Sequence, residues 1–478
     1  MSENTTQPTP TQHTDPPSSA GRRQIASRVA WVTAIATLGG LLFGYDTGVT
    51  NGALGFIVDY FALGPLSEGL ITFCLLIGAA VGAAAGGKLA DAFGRRRLIR
   101  VMAILFIVGT VGCAAAVSIE MLLLFRFVLG LAVGVSSMIV PTYIGEVAPQ
   151  ERRGSMVSLN EFMLVTGQFL AFLMNAVIGN VWGGNDSVWR WMLLIAMIPA
   201  TVLLLGMVKL PESPRWLASQ GREEEAFAVL RTLRRADRAE EELAQIRALT
   251  RQRATEQTVD LRQILRTRWM RSLLVTGLGV AAFQQTTGVN SVMYYGTQVL
   301  EEAGFERNAA LSFNVLNGVV AVVAVGIALL LMNRIKRRTV MLAGYSGVAL
   351  LHVGIGTVGT QMDTSNPLRG YLLMALIVAF IGVMQGCLGP TLFVVLAELF
   401  PVKARGLMLG ISMFALWVVN SVVALIFPSL VEAFGFGTFW LFAVVCSIAV
   451  LFVALRVPET HGRSLEELEE SFQQRFGK

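Results

Sequence analysis

Twelve apolar runs, each about as long as a bilayer's hydrocarbon core is thick, limit what this chain can fold into. They fall roughly at 29–51, 67–90, 98–119, 121–148, 156–180 and 189–209, then at 270–300, 309–333, 338–361, 370–398, 406–430 and 434–457. In lipid the backbone of such a run must satisfy its own polar groups, and the helix does so within one segment. The expected fold is therefore all-α and membrane-integral, with twelve transmembrane helices in two six-helix halves. Composition agrees: 54% of residues are apolar and 15% charged, against about 25% charged in soluble domains. Residues 1–28, rich in Thr, Pro, Ser and Gln, read as a disordered cytoplasmic tail. Residues 29–210 form the first half, 211–268 a charged linker, 269–457 the second half and 458–478 a cytoplasmic tail.

The net charge of +6 does not point to nucleic acid, because its distribution follows the membrane. Lys88, Arg95, Arg96, Arg97, Arg152, Arg153, Arg334, Lys336, Arg337, Arg338, Lys403 and Arg405 all fall in loops on one side, which the positive-inside rule makes cytoplasmic. Both termini are then cytoplasmic, in a multi-pass protein of the cell membrane. The linker carries two apolar stripes at helical spacing, Ala226, Val229, Leu230, Leu233 and Leu243, Ile246, Leu249, and reads as short cytoplasmic helices. The four cysteines sit inside apolar runs and the three histidines are scattered. No disulfide framework, metal site or organic cofactor is expected.

The halves repeat. Glu146-Val-Ala-Pro149 with Arg153-Gly154 returns as Glu398-Leu-Phe-Pro401 with Arg405-Gly406. Pro211-Glu212-Ser213 returns as Pro458-Glu459-Thr460, and Asp91 with Arg95-Arg96 returns as Asn333 with Arg337-Arg338. Parallel repeats with a site between them are a transporter architecture.

Gln284-Gln285-Thr286-Thr287-Gly288-Val289-Asn290 interrupts the seventh run with amides, hydroxyls and a glycine. Unsatisfied polar groups are costly in hydrocarbon, so these either line a protein cavity or grip a neighbouring helix. Gln168 and Asn175, Asn314 and Asn317, and Trp417 and Asn420 each share a helix face, and the same two readings apply. Amides and an aromatic ring from several spans suit a polyhydroxylated solute. Tyr294 and Tyr295 read either as a gate or as interfacial belt residues. Gly40, Gly44, Gly48 and Gly52, with Gly78, Gly82 and Gly86, mark faces of close helix approach.

Asp46 in the first run and Arg126 in the fourth lie at similar depth, about five residues from the outer ends and so roughly 7–8 Å in. Intramembrane charges usually pair and usually serve function. Burial opposes the charge on Asp46 and Arg126 favours it, so the carboxylate is suited to taking up and releasing a proton; a static structural pair is the alternative. Asp91, Arg95, Glu146, Arg153, Glu212, Glu398 and Arg405 stand beside span ends on the inner side, where ion pairs among them would latch a gate.

At these residues the chain resembles the sugar porter family of the major facilitator superfamily. The resemblance covers about 29 to 470 and rests on the Gly-Arg-Arg-Arg loop at 94–97, Pro211-Glu-Ser-Pro-Arg-Trp-Leu217, Gln284-Gln285 with Gly288-Val289-Asn290, and Pro458-Glu-Thr460 with Gly462. It implies alternating access by a carrier, not an enzyme, with a sugar or polyol and a proton as cargo. Gln168, Gln284, Gln285, Asn290, Asn317, Trp417 and Asn420 match the family's sugar-contacting positions. Asp46 matches the aspartate of proton-coupled members, and Arg126 its partner. Stretches 43–49 and 160–175 look most like bacterial proton-coupled inositol transporters, which makes myo-inositol the expected substrate; hexose or pentose symport and uniport are the alternatives. Where the family offers a tryptophan to the substrate, this chain has Phe393, which keeps a ring and loses an N–H donor. Asn333 and Lys336 depart from the loop motif of the first half, which implies a weaker latch in the second.

Overall fold

The computed structural model describes residues 19–255, 259–332, 334–401 and 403–462, with 467, 470, 472 and 473 beyond them. Every regular element among the described residues is helical. The first half comprises α1 (Ser19–Phe61), α2 (Pro65–Phe93), α3 (Arg95–Ala114), α4 (Ile119–Val147) and α5 (Arg153–Trp182), with a sixth crossing made of α6 (Val188–Leu194) and α7 (Met197–Lys209). The linker folds as α8 (Pro214–Ser219), α9 (Glu223–Leu233), α10 (Ala236–Thr255) and α11 (Leu261–Arg266). The second half starts with a crossing in two pieces, α12 (Arg268–Gln285) and α13 (Val289–Glu302), followed by α14 (Arg307–Leu331) and α15 (Arg337–Gln361). α16 (Pro367–Val383) runs through a π-helical turn at Met384–Leu388 into α17 (Gly389–Leu399), and α18 (Arg405–Phe434) and α19 (Thr438–Arg456) complete the twelve crossings.

The starts of these helices are written locally. Ser118 accepts from the Met121 amide, and Asn366 accepts from Leu368 with Pro367 in the first turn, so side chains and proline deal with amides that have no helical partner. One boundary moves the functional argument. The first crossing begins at Ser19 and runs to Phe61, ten residues past the expected end at 51. Asp46 is therefore 15 residues from that end, roughly 22 Å along the axis, and not the five expected. Residues 19–28, expected in a disordered tail, are helical. The rest of that tail, Asn333 and most of 458–478 lie outside the described residues.

Packing repeats with the sequence. α1 lies on α5 and α2 on α4; α12 lies on α18 and α14 on α16. The halves meet through two matching contacts, α2 with α18 and α5 with α14, and through α1 with α13. Glycine sets the closeness of the first-half pairs. A Cβ on Gly44 would lie 1.8 Å from the Leu164 carbonyl oxygen, and one on Gly167 would lie 2.1 Å from that of Leu41. Outward faces carry Ile104, Val108, Leu124, Val177 and Leu205, all well exposed, as a lipid-facing surface requires.

The linker helices form a small core of their own from Leu217, Ala226, Leu230, Leu243 and Ile246. They dock on the first half through Arg234. Its Nη2 donates to the carbonyls of Val147 and Ala148, both at 2.9 Å, while Nε meets Glu242 at 2.7 Å. A guanidinium at the carbonyl end of α4 also suits that helix's dipole.

Candidate functional site

The seventh crossing, read from sequence as one run over 270–300, is broken at the polar stretch. Gly288 adopts φ +78°, a left-handed conformation that glycine enters without penalty. The two threonines close the helix that ends there. Thr286 Oγ1 donates to the Phe283 carbonyl at 3.2 Å and Thr287 Oγ1 to that of Gln284 at 2.8 Å. The amides then form a chain of their own: Asn290 Nδ2 donates to Gln285 Oε1, and Gln285 Nε2 to Gln284 Oε1, each at 2.5 Å. Gln285 is buried, whereas Gln284 and Asn290 are partly open.

Other predicted residues gather along the seam between the halves. Gln168 on α5, Asn317 on α14, and Trp417 and Asn420 on α18 are each at most 5% exposed. Gln168 Oε1, Asn317 Oδ1, Trp417 Nε1 and Asn420 Oδ1 have no protein hydrogen-bond partner. Buried polar atoms are nearly always paired, so four such atoms on three helices are candidates to meet the hydrogen-bonding groups of a solute. Gly318 packs on the Cα of Phe169, which sets Asn317 level with Gln168. Phe43 of α1 reaches across to Trp417, ring centroids 5.5 Å apart. Phe393, on α17, is 41% exposed.

Asp46 and Arg126 do meet. Arg126 Nη1 lies 3.6 Å from Asp46 Oδ1, too far for a hydrogen bond, with both side chains buried. Thr50 sits between them: its hydroxyl donates to the Asp46 carbonyl at 2.9 Å and accepts from Arg126 Nη1 at 3.0 Å. Asp46 Oδ2 has no protein partner. The pair is held by charge more than by hydrogen bonding, which leaves the carboxylate free to change protonation without dismantling a network.

Asn51, one residue past Thr50, was not among the predicted residues. Its Nδ2 donates to the Val292 and Met293 carbonyls of α13, and its Oδ1 accepts from the amide and hydroxyl of Thr297. Thr297 in turn accepts from Asn314, whose Oδ1 accepts from Asn317. The signal was an amide inside the first span, one residue past Thr50 and beside the glycine-spaced face of the same helix. Tyr294 and Tyr295 are not belt residues, since both are 2% exposed. Tyr295 donates to the Ala424 carbonyl, and Tyr294 lies against Thr47 and Asn420. The halves are further joined at the end away from the linker by Arg307, which meets Asp59 at 2.6 Å and Glu301 at 2.7 Å.

At the linker end the expected ion pairs stay within each half. Arg95 meets Glu146 and Asp91, each at 3.0 Å. Glu212 accepts from the Arg95 and Arg96 amides, placing a carboxylate on the N-terminus of α3. The second half repeats the plan: Arg337 faces Glu398 at 3.6 Å, and Glu459 accepts from the Arg337 and Arg338 amides. Among the described residues Arg153 and Arg405 enter no ion pair; Arg405 Nε donates to the Phe400 carbonyl instead. Added Cβ atoms at Gly154, Gly406 and Gly410 would meet nothing within 4 Å. Among the described residues the ion pair that crosses the seam, Arg307 with Asp59, is thus at the far end, and those at the linker end lie within a half.

Two repeated six-helix halves, enclosing orphaned amides beside a buried charge pair, define a secondary membrane transporter and not an enzyme. The chain belongs to the Sugar (and other) transporter family, whose match covers residues 32–472, and within the major facilitator superfamily it is a sugar porter. The major myo-inositol transporter IolT of Bacillus subtilis is 44% identical, covering 92% of this chain and 93% of its own. Among solved structures, the proton:xylose symporter XylE bound to 6-bromo-6-deoxy-D-glucose is 30% identical with a TM-score of 0.76, covering 94% of this chain and 99% of that one. The inward open conformation of XylE from E. coli, 29% identical, gives a TM-score of 0.80 with 93% and 99% covered.

Proposed function

We propose that the protein imports a polyol or monosaccharide, myo-inositol being the best match, together with a proton by alternating access. The observation that carries this reading is that one helix serves every part. α1 holds Asp46 against Arg126, lays Phe43 on Trp417 at the orphaned amides, and grips the α13 backbone through Asn51. Protonation of Asp46 weakens its hold on Arg126, and α1 carries the change to the solute site and to α13. Gln168, Gln284, Gln285, Asn290, Asn317, Trp417 and Asn420 would bind hydroxyls, with Phe393 stacking on the ring. The linker and both termini face the cytoplasm by the positive-inside rule, and an ion pair across the seam at the opposite end, Arg307 with Asp59, fits an inward-facing state. The cargo assignment leans on the 44% identical relative named for myo-inositol, and the proton on the structural relative named as a proton:xylose symporter.

The test is uptake of labelled myo-inositol by cells expressing the protein, with and without a protonophore and against unlabelled glucose, xylose and fructose. Protonophore-sensitive accumulation displaced poorly by the sugars is expected. Uptake of a sugar but not of myo-inositol would overturn the cargo, and accumulation indifferent to the protonophore would overturn the coupling.

A further inference from the structure

The break at Gly288 leaves carbonyls outside both helices, that of Thr287 among them. α13's first backbone bond runs from Val292 to the Gly288 carbonyl, so the Thr287 carbonyl needs a partner from elsewhere in a setting without bulk water. His352 of α15 supplies it, with Nε2 2.8 Å from the Thr287 oxygen and the ring fully buried. A carbonyl only accepts, so Nε2 carries the hydrogen. The opposite nitrogen, Nδ1, has no protein partner. Around the ring stand Phe380 at 4.6 Å and Phe439 and Phe442 at 5.6 Å between centroids. Phe442 also underlies the break, since a Cβ on Gly288 would lie 2.8 Å from its ring. In a pocket otherwise made of phenyl rings, an imidazole with one polar contact is there for that contact.

We propose that His352 is a positioning residue of the solute site, resting on the reading of the seam given above. By holding the Thr287 carbonyl it fixes the angle between α12 and α13. Gln284, Gln285 and Asn290 are tied to one another by 2.5 Å bonds, so they turn as a unit with that angle. His352 touches no solute; it determines where the three amides stand relative to Gln168 and Asn317 across the seam.

The experiment compares wild type with His352→Phe, which keeps a ring and loses the donor, and His352→Gln, which restores an N–H. Initial uptake rates are measured for whichever of myo-inositol, D-xylose and D-glucose the wild type carries. His352→Phe should raise KM about tenfold, the effect of one lost buried hydrogen bond, with the maximal rate per folded transporter retained. His352→Gln should return KM to within about threefold of wild type. Combining His352→Phe with Asn290→Ala should cost less than the product of the two single effects, whereas combining it with Gln168→Ala should give the full product. Hydrogen exchange on the detergent-purified protein supplies a readout that needs no solute: amides at 286–292 should exchange faster in His352→Phe, with α4 and α5 unchanged. If none of the three solutes is carried but exchange rises as stated, the cargo reading fails and the positioning role stands. An unchanged KM with unchanged exchange overturns the role. So does a variant that lowers only the amount of folded protein, or one that multiplies fully with Asn290→Ala.

Discussion

Replacing Asp46 by asparagine separates the proton from the solute, and its size can be worked from the pair. Nη1 of Arg126 and Oδ1 of Asp46 are 3.6 Å apart; at an effective dielectric near 20 their attraction is about 5 kcal/mol. The asparagine would keep the shape but lose the charge, and at 3.6 Å no hydrogen bond replaces that attraction. The variant should therefore fold, with reduced thermal stability, because Thr50 still accepts from Arg126. Adding Arg126→Met, which removes the stranded charge, should recover part of the loss. Transport should change in kind. A gradient of one pH unit stores about 1.4 kcal/mol per proton, enough for tenfold accumulation. In vesicles with that gradient, wild type should concentrate myo-inositol about tenfold, while Asp46→Asn should stop at equal concentrations and still exchange labelled for unlabelled solute. Accumulation by Asp46→Asn above equality would refute the assignment of the proton to this carboxylate.

Four further substitutions probe other links. Gly44→Leu should abolish folded protein in the membrane, since even its Cβ would sit 1.8 Å from the Leu164 carbonyl oxygen; Gly154→Ala, with nothing within 4 Å, should express normally, and fluorescence size-exclusion profiles would tell them apart. Arg234→Ala should cost roughly 3 kcal/mol by stranding Glu242 and two carbonyls at the end of α4, read as faster protease cleavage of the linker with little change in KM. Phe393→Trp restores an indole donor on the exposed face of α17, and should shift the preference between pyranoses and myo-inositol by about fivefold, the worth of one hydrogen bond near 1 kcal/mol, measured as the ratio of KM values.

What the sequence disclosed was whatever a local rule or a repeat could carry. Run lengths gave the crossings, whereas the break at Gly288 went unread, although its positive φ and hydroxyl-capped carbonyls belong to a few neighbouring residues. Glu212 and Glu459 could be matched from their motif, and each does cap the helix that begins at Arg95 or Arg337. Partner choice over long range was less legible. Asn51 and His352 each look like one polar residue lost in an apolar span, and only the fold shows that both hold the backbone of the broken crossing. Arg153 and Arg405 stand in the repeated motif yet enter no ion pair among the described residues, Arg405 donating to the Phe400 carbonyl instead, which the motif by itself does not disclose.

The two halves divide the labour unequally, and the division explains how two cargoes can be linked. The charge pair lies wholly within the first half, on α1 and α4, and the broken crossing wholly within the second. A proton bound in one half can govern a solute held largely by the other only through contacts between them. Beside the packing of α2 on α18 and of α5 on α14 stand contacts made by α1: Asn51 on the α13 backbone, with Thr297 and Asn314 relaying to Asn317, and Phe43 on Trp417. All start from α1 within about eight residues, roughly 12 Å of helix. A small turn or slide of α1 on Asp46 protonation would reach each of them at once, because α1 is seated on α5 by glycine contacts too close to absorb the movement. On the proposed reading, coupling would be a property of α1 and these attachments. A single cut at Asn51 should loosen solute binding and gating together, while leaving the charge pair in place.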